Sequence, residues 1–139
     1  MAIEATINYW AVLVSAVASM VLGSLWYGPL FGKMWMGLMG ITRKQMQEGK
    51  KKSMTGTWIA AFVSTLVMAY VLSHFVDYLG AVDLNGALQL AFWMWLGFVA
   101  TVQLGSVLWE GRPVKLYILN SVYYLVNLSV ISVILTLWA

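Results

Sequence analysis

Charged residues divide the chain into four long apolar blocks. The blocks without any charge run over 5–32, 53–76, 84–109 and 116–139. Each exceeds the ~20 residues that an α-helix needs to cross a hydrocarbon core about 30 Å thick. Backbone groups in lipid must satisfy their own hydrogen bonds, and no block shows the strict alternation of a barrel strand. The pattern therefore predicts an all-α, integral membrane four-helix bundle.

The predicted spans lie within a single domain, 1–139. Their bounds are about 7–27, 54–78, 86–109 and 115–138, and the longest connection is the loop 28–53. This placement also explains the net charge of +3, because the charges lie between apolar runs as they do in membrane loops. We expect membrane lipids, and no nucleic acid, as partners.

The orientation follows from the distribution of Lys and Arg, which favour cytoplasmic loops. All eight lie either between the first two spans or between the last two. The opposite side carries Glu4, Asp77 and Asp83. We therefore predict that loop 28–53 is cytoplasmic and that both termini lie outside the cytoplasm.

Spans one and three contain a similar segment. Residues 17–24, VASMVLGS, align with 99–106, VATVQLGS. We interpret this as a parallel internal repeat of two hairpins, an arrangement found in some transporters, with chance similarity between apolar segments as the alternative. Small residues also recur every fourth position, which lets helices approach closely, so we expect spans one and three to cross at these stripes. The stripe residues are Ser15, Ser19, Gly23, Gly97, Thr101 and Gly105.

The loop after the first span combines a helix-ending pair with a basic cluster. Gly28-Pro29 ends the helix, because proline lacks an amide hydrogen and crowds the preceding turn. The segment Thr42 to Gln45 resembles a capping box, which predicts a short helix ending near Gly49. Basic residues here fit an ordinary cytoplasmic loop or, more specifically, a site for anionic lipid headgroups. They are Arg43, Lys44, Lys50, Lys51 and Lys52.

The same region resembles a known family of small bacterial multi-pass membrane proteins, catalogued only as a domain of unknown function. The resemblance rests on Asn8, on residues 25–35 (LWYGPLFGKMW) and on Gly40-Ile41-Thr42. It implies a bacterial inner-membrane location and the same four-span plan. It implies no activity, cofactor or catalytic residue.

Candidate chemistry is sparse. The absence of Cys excludes disulfides, thiolate metal sites and cysteine nucleophiles, and one His cannot build a bis-His haem or a three-ligand zinc site. His74 with Asp77, and Glu110 with Arg112, fit ordinary interfacial pairs. No phosphate loop, nucleophile–base pattern or paired carboxylate is visible within the spans. We expect no enzyme, no cofactor and no metal.

Amides within the spans are the most informative polar groups. They need partners in hydrocarbon, so they either line a polar path or pocket, or hydrogen-bond across helices. The candidate face comprises Gln103, Asn120, Tyr124 and Asn127.

Two functional hypotheses follow. The first is a small transport or channel-like protein that acts as a homo-oligomer through the polar faces of spans three and four. The alternative is a non-catalytic accessory or scaffold subunit that binds lipid or a larger membrane complex. Flux across proteoliposomes and co-purification with a stable partner distinguish them.

Overall fold

The computed structural model describes residues 6–42, 44, 45, 47, 48 and 54–138. Helix α1 runs Tyr9–Leu25 and continues in a π-helical turn, Trp26–Leu30; α2 is Gly32–Met39 and α3 is Thr55–Tyr78. Helix α4 runs Leu84–Trp95 and continues through Leu96–Ala100, Thr101–Gln103 and Gly105–Leu108; α5 is Val114–Leu137. The described part contains no strand, which confirms the predicted fold class.

Four of these helices are long and apolar enough to cross a membrane: Tyr9–Leu30, Thr55–Tyr78, Leu84–Leu108 and Val114–Leu137. We call the end that carries loop 28–53 the basic end, and the end that carries both termini the terminal end.

Side-chain caps begin two of the spans. The Asn8 side chain accepts a hydrogen bond from the Ala11 amide (3.2 Å), and the Asp83 side chain accepts one from the Gly86 amide (2.8 Å). Each cap satisfies one of the amides that the first helical turn leaves without a partner. These two residues therefore define where α1 and α4 begin.

The predicted capping box at Thr42 is present. The Thr42 amide donates to the Gln45 side-chain oxygen (2.9 Å), and the Gln45 amide donates to the Thr42 hydroxyl (3.1 Å). Lys44, Gln45, Gln47 and Glu48 are helical. The predicted helix end at Gly49 lies outside the described residues.

Helix α5 is the centre of the packing. It packs against α1, α3 and α4, and α1 and α3 also pack against each other. Helix α4 packs mainly against α5, so the molecule consists of a three-helix group, α1–α3–α5, with α4 attached to α5. The core includes Ala11, Ala69, Leu72, Ala91 and Ile131.

The predicted crossing of spans one and three is wrong. The small residues Ser15 and Ser19 are buried, but α1 packs against α3 and α5. In α4 the buried small residues are Ala87 and Ala91, whereas the predicted stripe is turned away: Gly97 and Thr101 are exposed and Gly105 is half-buried.

The Trp95 side chain helps explain this rotation of α4. Its indole N–H donates to the Ser121 carbonyl oxygen of α5 (2.7 Å), which ties the Ala87–Ala91 face to α5. Helix α4 therefore offers two faces lined with small residues, and this polar contact favours the one that was not predicted.

The internal repeat and the membrane orientation stay predictions.

Candidate functional site

Polar contacts join α1 to α5 at three depths. Residue numbers rise along α1 as they fall along α5, so the two helices are antiparallel and keep a constant register. From the terminal end to the basic end, the contacts are the Asn8 Nδ2 to the Trp138 carbonyl (2.6 Å), the Ser19 hydroxyl to Asn127 Oδ1 (2.6 Å), and the Tyr27 hydroxyl to Asn120 Oδ1 (2.7 Å).

The predicted polar face is thus divided between two places. Asn120 and Asn127 bond to α1, as expected of groups that hold helices together. Tyr124 packs its ring near that of Tyr123 (centroids 5.2 Å apart). Gln103 lines a separate cavity between α4 and α5 at the basic end. Asn120 is the other residue of the predicted face that lines this cavity.

A cavity of about 630 Å³ opens between α1, α3 and α5 in the basic half of the molecule. We call it the basic-end cavity. Its wall is mostly apolar and includes three aromatic rings and four residues that carry hydroxyls. The lining residues are Ser19, Met20, Gly23, Ser24, Tyr27, Trp58, Ala61 and Tyr123.

A second, smaller cavity of about 160 Å³ lies between the same three helices at the other end. We call it the terminal cavity. Its polar lining includes Thr6, Asn8, Ser73 and Asp77. The Asp77 carboxylate accepts a hydrogen bond from the Thr6 amide (3.1 Å), which holds the start of the described chain over the cavity.

A closed region separates the two cavities. Ala11 lines the terminal cavity and Ser19 the basic-end cavity, so about 12 Å of α1 lies between them at ~1.5 Å per residue. Ser15, Ala69 and Ile131 are each 0% exposed in this region, and we call them the septum. The Ser15 hydroxyl has no hydrogen-bond partner among the described residues. The septum therefore contains a buried polar group that protein contacts alone do not satisfy.

The wall of the basic-end cavity depends on two glycines. A Cβ on Gly23 would lie 2.9 Å from the Tyr123 hydroxyl, and a Cβ on Gly32 would lie 2.7 Å from the Tyr27 carbonyl oxygen. Between them the backbone kinks at Gly28 (φ −110°, ψ −105°), just before Pro29. The absence of a side chain at Gly32 thus permits the close backbone turn after Tyr27, and its absence at Gly23 lets the Tyr123 hydroxyl approach α1. The ring centroids of Tyr27 and Tyr123 lie 5.1 Å apart.

Other predicted residues lie away from these cavities or have no shared role. His74 Nδ1 lies 2.9 Å from the Tyr70 carbonyl oxygen of its own helix, and the described residues contain no metal-binding group of His, Asp or Glu. The described structure contains no ion pair between Glu110 and Arg112; the Arg112 guanidinium instead reaches the Met39 sulfur (3.9 Å). Lys44 is helical and exposed. Arg43, Lys50, Lys51 and Lys52 lie outside the described residues.

The sequence reasoning missed the contribution of α3. A four-residue spacing along this helix carries Ala69, Ser73 and Asp77 from the septum to the terminal cavity, and Ala61, eight residues before Ala69, lines the basic-end cavity. This spacing could have been found in the sequence. Small residues with the same period elsewhere obscured it.

The comparisons with known proteins give one match. The family model described as "Protein of unknown function (DUF1761)" matches residues 10–136. No curated protein and no solved structure matches the chain.

Proposed function

The chain belongs to the DUF1761 family, and we propose that it is a small, non-catalytic transport protein whose path runs between α1, α3 and α5. The observation that carries the proposal is the pair of cavities at opposite ends of one three-helix group. A path that is closed at its middle would leave such an arrangement, with a pocket at each end and a barrier between them. This path differs from the one expected from the sequence, which ran along the faces of spans three and four.

The chemistry of the lining supports passage of a polar solute. Four of the residues that line the basic-end cavity, Ser19, Ser24, Tyr27 and Tyr123, carry hydroxyls, and none of its lining residues is charged. The terminal cavity adds Asp77, a carboxylate that favours a neutral or cationic solute over an anion. The buried Ser15 hydroxyl offers a polar contact midway along the path.

The test is to open the septum. Ile131 is fully buried and has the largest side chain of the septum, so Ile131→Ala should connect the two cavities. Purified protein is reconstituted in liposomes, and the permeation of glycerol and of Na⁺ is followed by stopped-flow light scattering and by a fluorescent indicator. We expect at least a tenfold increase over wild type for one of these solutes.

The matched control is Ile118→Ala, the same change in the same helix at a side chain that is 53% exposed. It should leave permeation unchanged. Because Ile131→Ala costs ~2–5 kcal/mol of stability, Ile131→Val, at ~0.5–1.5 kcal/mol, provides a milder variant that should still fold. The proposal is wrong if folded Ile131→Ala and Ile131→Val proteins give the same fluxes as the Ile118→Ala protein.

An accessory role is the second candidate, and the exposed side of α4 favours it. A Cβ added to Gly97 would meet nothing within 4 Å, Thr101 is exposed, and Phe98 beside them is 71% exposed. A second copy of the chain or another membrane protein could pack closely here. Cross-linking through cysteines introduced at Gly97 and Thr101 in native membranes tests for a homo-oligomer. Co-purification of a stable partner would favour a scaffold.

The basic loop supports the proposed location. We propose that Arg43, Lys44, Lys50, Lys51 and Lys52 face anionic lipids on the cytoplasmic side of a bacterial inner membrane. Replacing the five residues by Gln should weaken binding of the purified protein to vesicles that contain phosphatidylglycerol.

A further inference from the structure

A third cavity, of about 410 Å³, lies at the basic end between α4 and α5, outside the proposed path. We call it the headgroup cavity. Its polar lining residues are Gln103, Ser106, Glu110 and Asn120, and Trp109 and Tyr117 add aromatic walls. We propose that this cavity binds the primary ammonium headgroup of a phosphatidylethanolamine-type lipid.

The position of Glu110 is the first argument. The residue follows the last turn of α4, where Gly111 has φ +67° and the Arg112 amide donates to the Ser106 carbonyl oxygen (2.9 Å). A helix C-terminus carries a partial negative charge, so a carboxylate there is unfavourable unless a cation accompanies it. Glu110 has no hydrogen-bond or ion-pair partner among the described residues. Glu110 therefore supplies an exposed carboxylate, without a direct partner in the described part of the chain, at one wall of the cavity.

The acceptors beside Glu110 distinguish between kinds of cation. Gln103 has no described side-chain partner, so its amide oxygen is free to accept a hydrogen bond. A primary ammonium donates three hydrogen bonds, whereas the quaternary ammonium of phosphatidylcholine donates none. The rings of Trp109 and Tyr117 can hold either cation through their faces. The cavity therefore favours the primary ammonium over the quaternary one.

The neighbouring helix end supplies a place for the lipid phosphate. Helix α5 begins at Val114, directly after Pro113, and the N-terminus of a helix attracts anions. Arg112 and Lys115 flank this turn and are both exposed. A cation site at the end of α4 thus lies beside an anion site at the start of α5.

The experiment uses the full-length protein in detergent and native mass spectrometry. It is titrated with short-chain phosphatidylethanolamine, phosphatidylcholine and phosphatidylglycerol. We expect phosphatidylethanolamine to bind at least tenfold more tightly than phosphatidylcholine, whereas phosphatidylglycerol, which the basic loop attracts, should bind equally well to wild type and to Glu110→Gln. Glu110→Gln should remove most of this preference, while Glu48→Gln, a matched change at an exposed carboxylate of the basic end, should retain it.

Free ethanolamine in the same concentration range tests whether the ligand is a lipid or a soluble amine. It should not displace the lipid, because it lacks the phosphate and the acyl chains. Equal binding of phosphatidylethanolamine and phosphatidylcholine by wild type, an unchanged preference in Glu110→Gln, or displacement by equimolar ethanolamine would each overturn the proposal. None of these readouts depends on transport.

Discussion

The hydrogen bond between Ser19 and Asn127 gives the sharpest test of how α1 and α5 are held together. The two side chains are 3% exposed, and the oxygen atoms lie 2.6 Å apart. Interhelical hydrogen bonds in membrane proteins contribute about 0.6 kcal/mol on average and up to ~1.7 kcal/mol. The burial and short distance place this bond in the upper half of that range. We therefore expect a coupling free energy of about 1 to 1.7 kcal/mol.

The measurement is a double-mutant cycle built from Ser19→Ala, Asn127→Ala and the double variant. Their free energies of unfolding are compared in bicelles under reversible conditions, so that the cavity left by each substitution cancels and only the pairwise term remains. The control cycle combines Asn127→Ala with Ser24→Ala in place of Ser19→Ala. Ser24 is an exposed serine of the same helix, and its hydroxyl donates to the Met20 carbonyl oxygen (2.9 Å). Its coupling to Asn127 should lie near zero.

The result that refutes the reasoning is a coupling no larger in the Ser19 cycle than in the Ser24 cycle. Asn127 would then be free of a structural role toward α1. Its contact with the Met68 sulfur (3.7 Å) would be the remaining described bond of its amide.

Three further predictions concern single positions. Gly23→Leu should lower the free energy of unfolding by ~1–3 kcal/mol because it overpacks against Tyr123, while Gly97→Leu, with open space around it, should not; equal effects in thermal unfolding would contradict the packing. Asn8→Ala should lower the free energy of unfolding by ~1 kcal/mol because the helix cap is lost. Asn8→Asp should restore the cap but not the hydrogen bond to the Trp138 carbonyl. A cysteine at Asp83 should react with an impermeant thiol reagent added to intact cells and one at Gln47 should not; the reverse pattern would invert the proposed orientation.

The spans and the packing faces of the helices could be predicted from the sequence to different degrees. Four spans could be predicted because lipid requires long, uncharged, internally hydrogen-bonded segments, and charged residues mark their ends. The Thr42 capping box could be predicted because two local hydrogen bonds define it. Both features depend on neighbouring residues only.

The packing faces could not be predicted in the same way. Lipid tails are as apolar as leucine, so a buried face in a membrane helix need not be more hydrophobic than an exposed one. Small residues were the remaining signal, and α4 carries them both at Ala87 and Ala91 and at Gly97 and Thr101. The contact of Trp95 with the Ser121 carbonyl distinguishes these faces, and it depends on a residue 26 positions away.

The hydrogen bond between Tyr27 and Asn120 connects the two proposed sites. Tyr27 lines the basic-end cavity and Asn120 the headgroup cavity, so this 2.7 Å contact lies between them. An ammonium bound in the headgroup cavity would donate to the same Asn120 oxygen as the Tyr27 hydroxyl, because that oxygen has two lone pairs. If ammonium binding changes this bond, the coupling free energy between the two sites is at most the ~0.6–1.7 kcal/mol of the bond, roughly threefold to twentyfold in affinity, and by linkage it is the same in both directions.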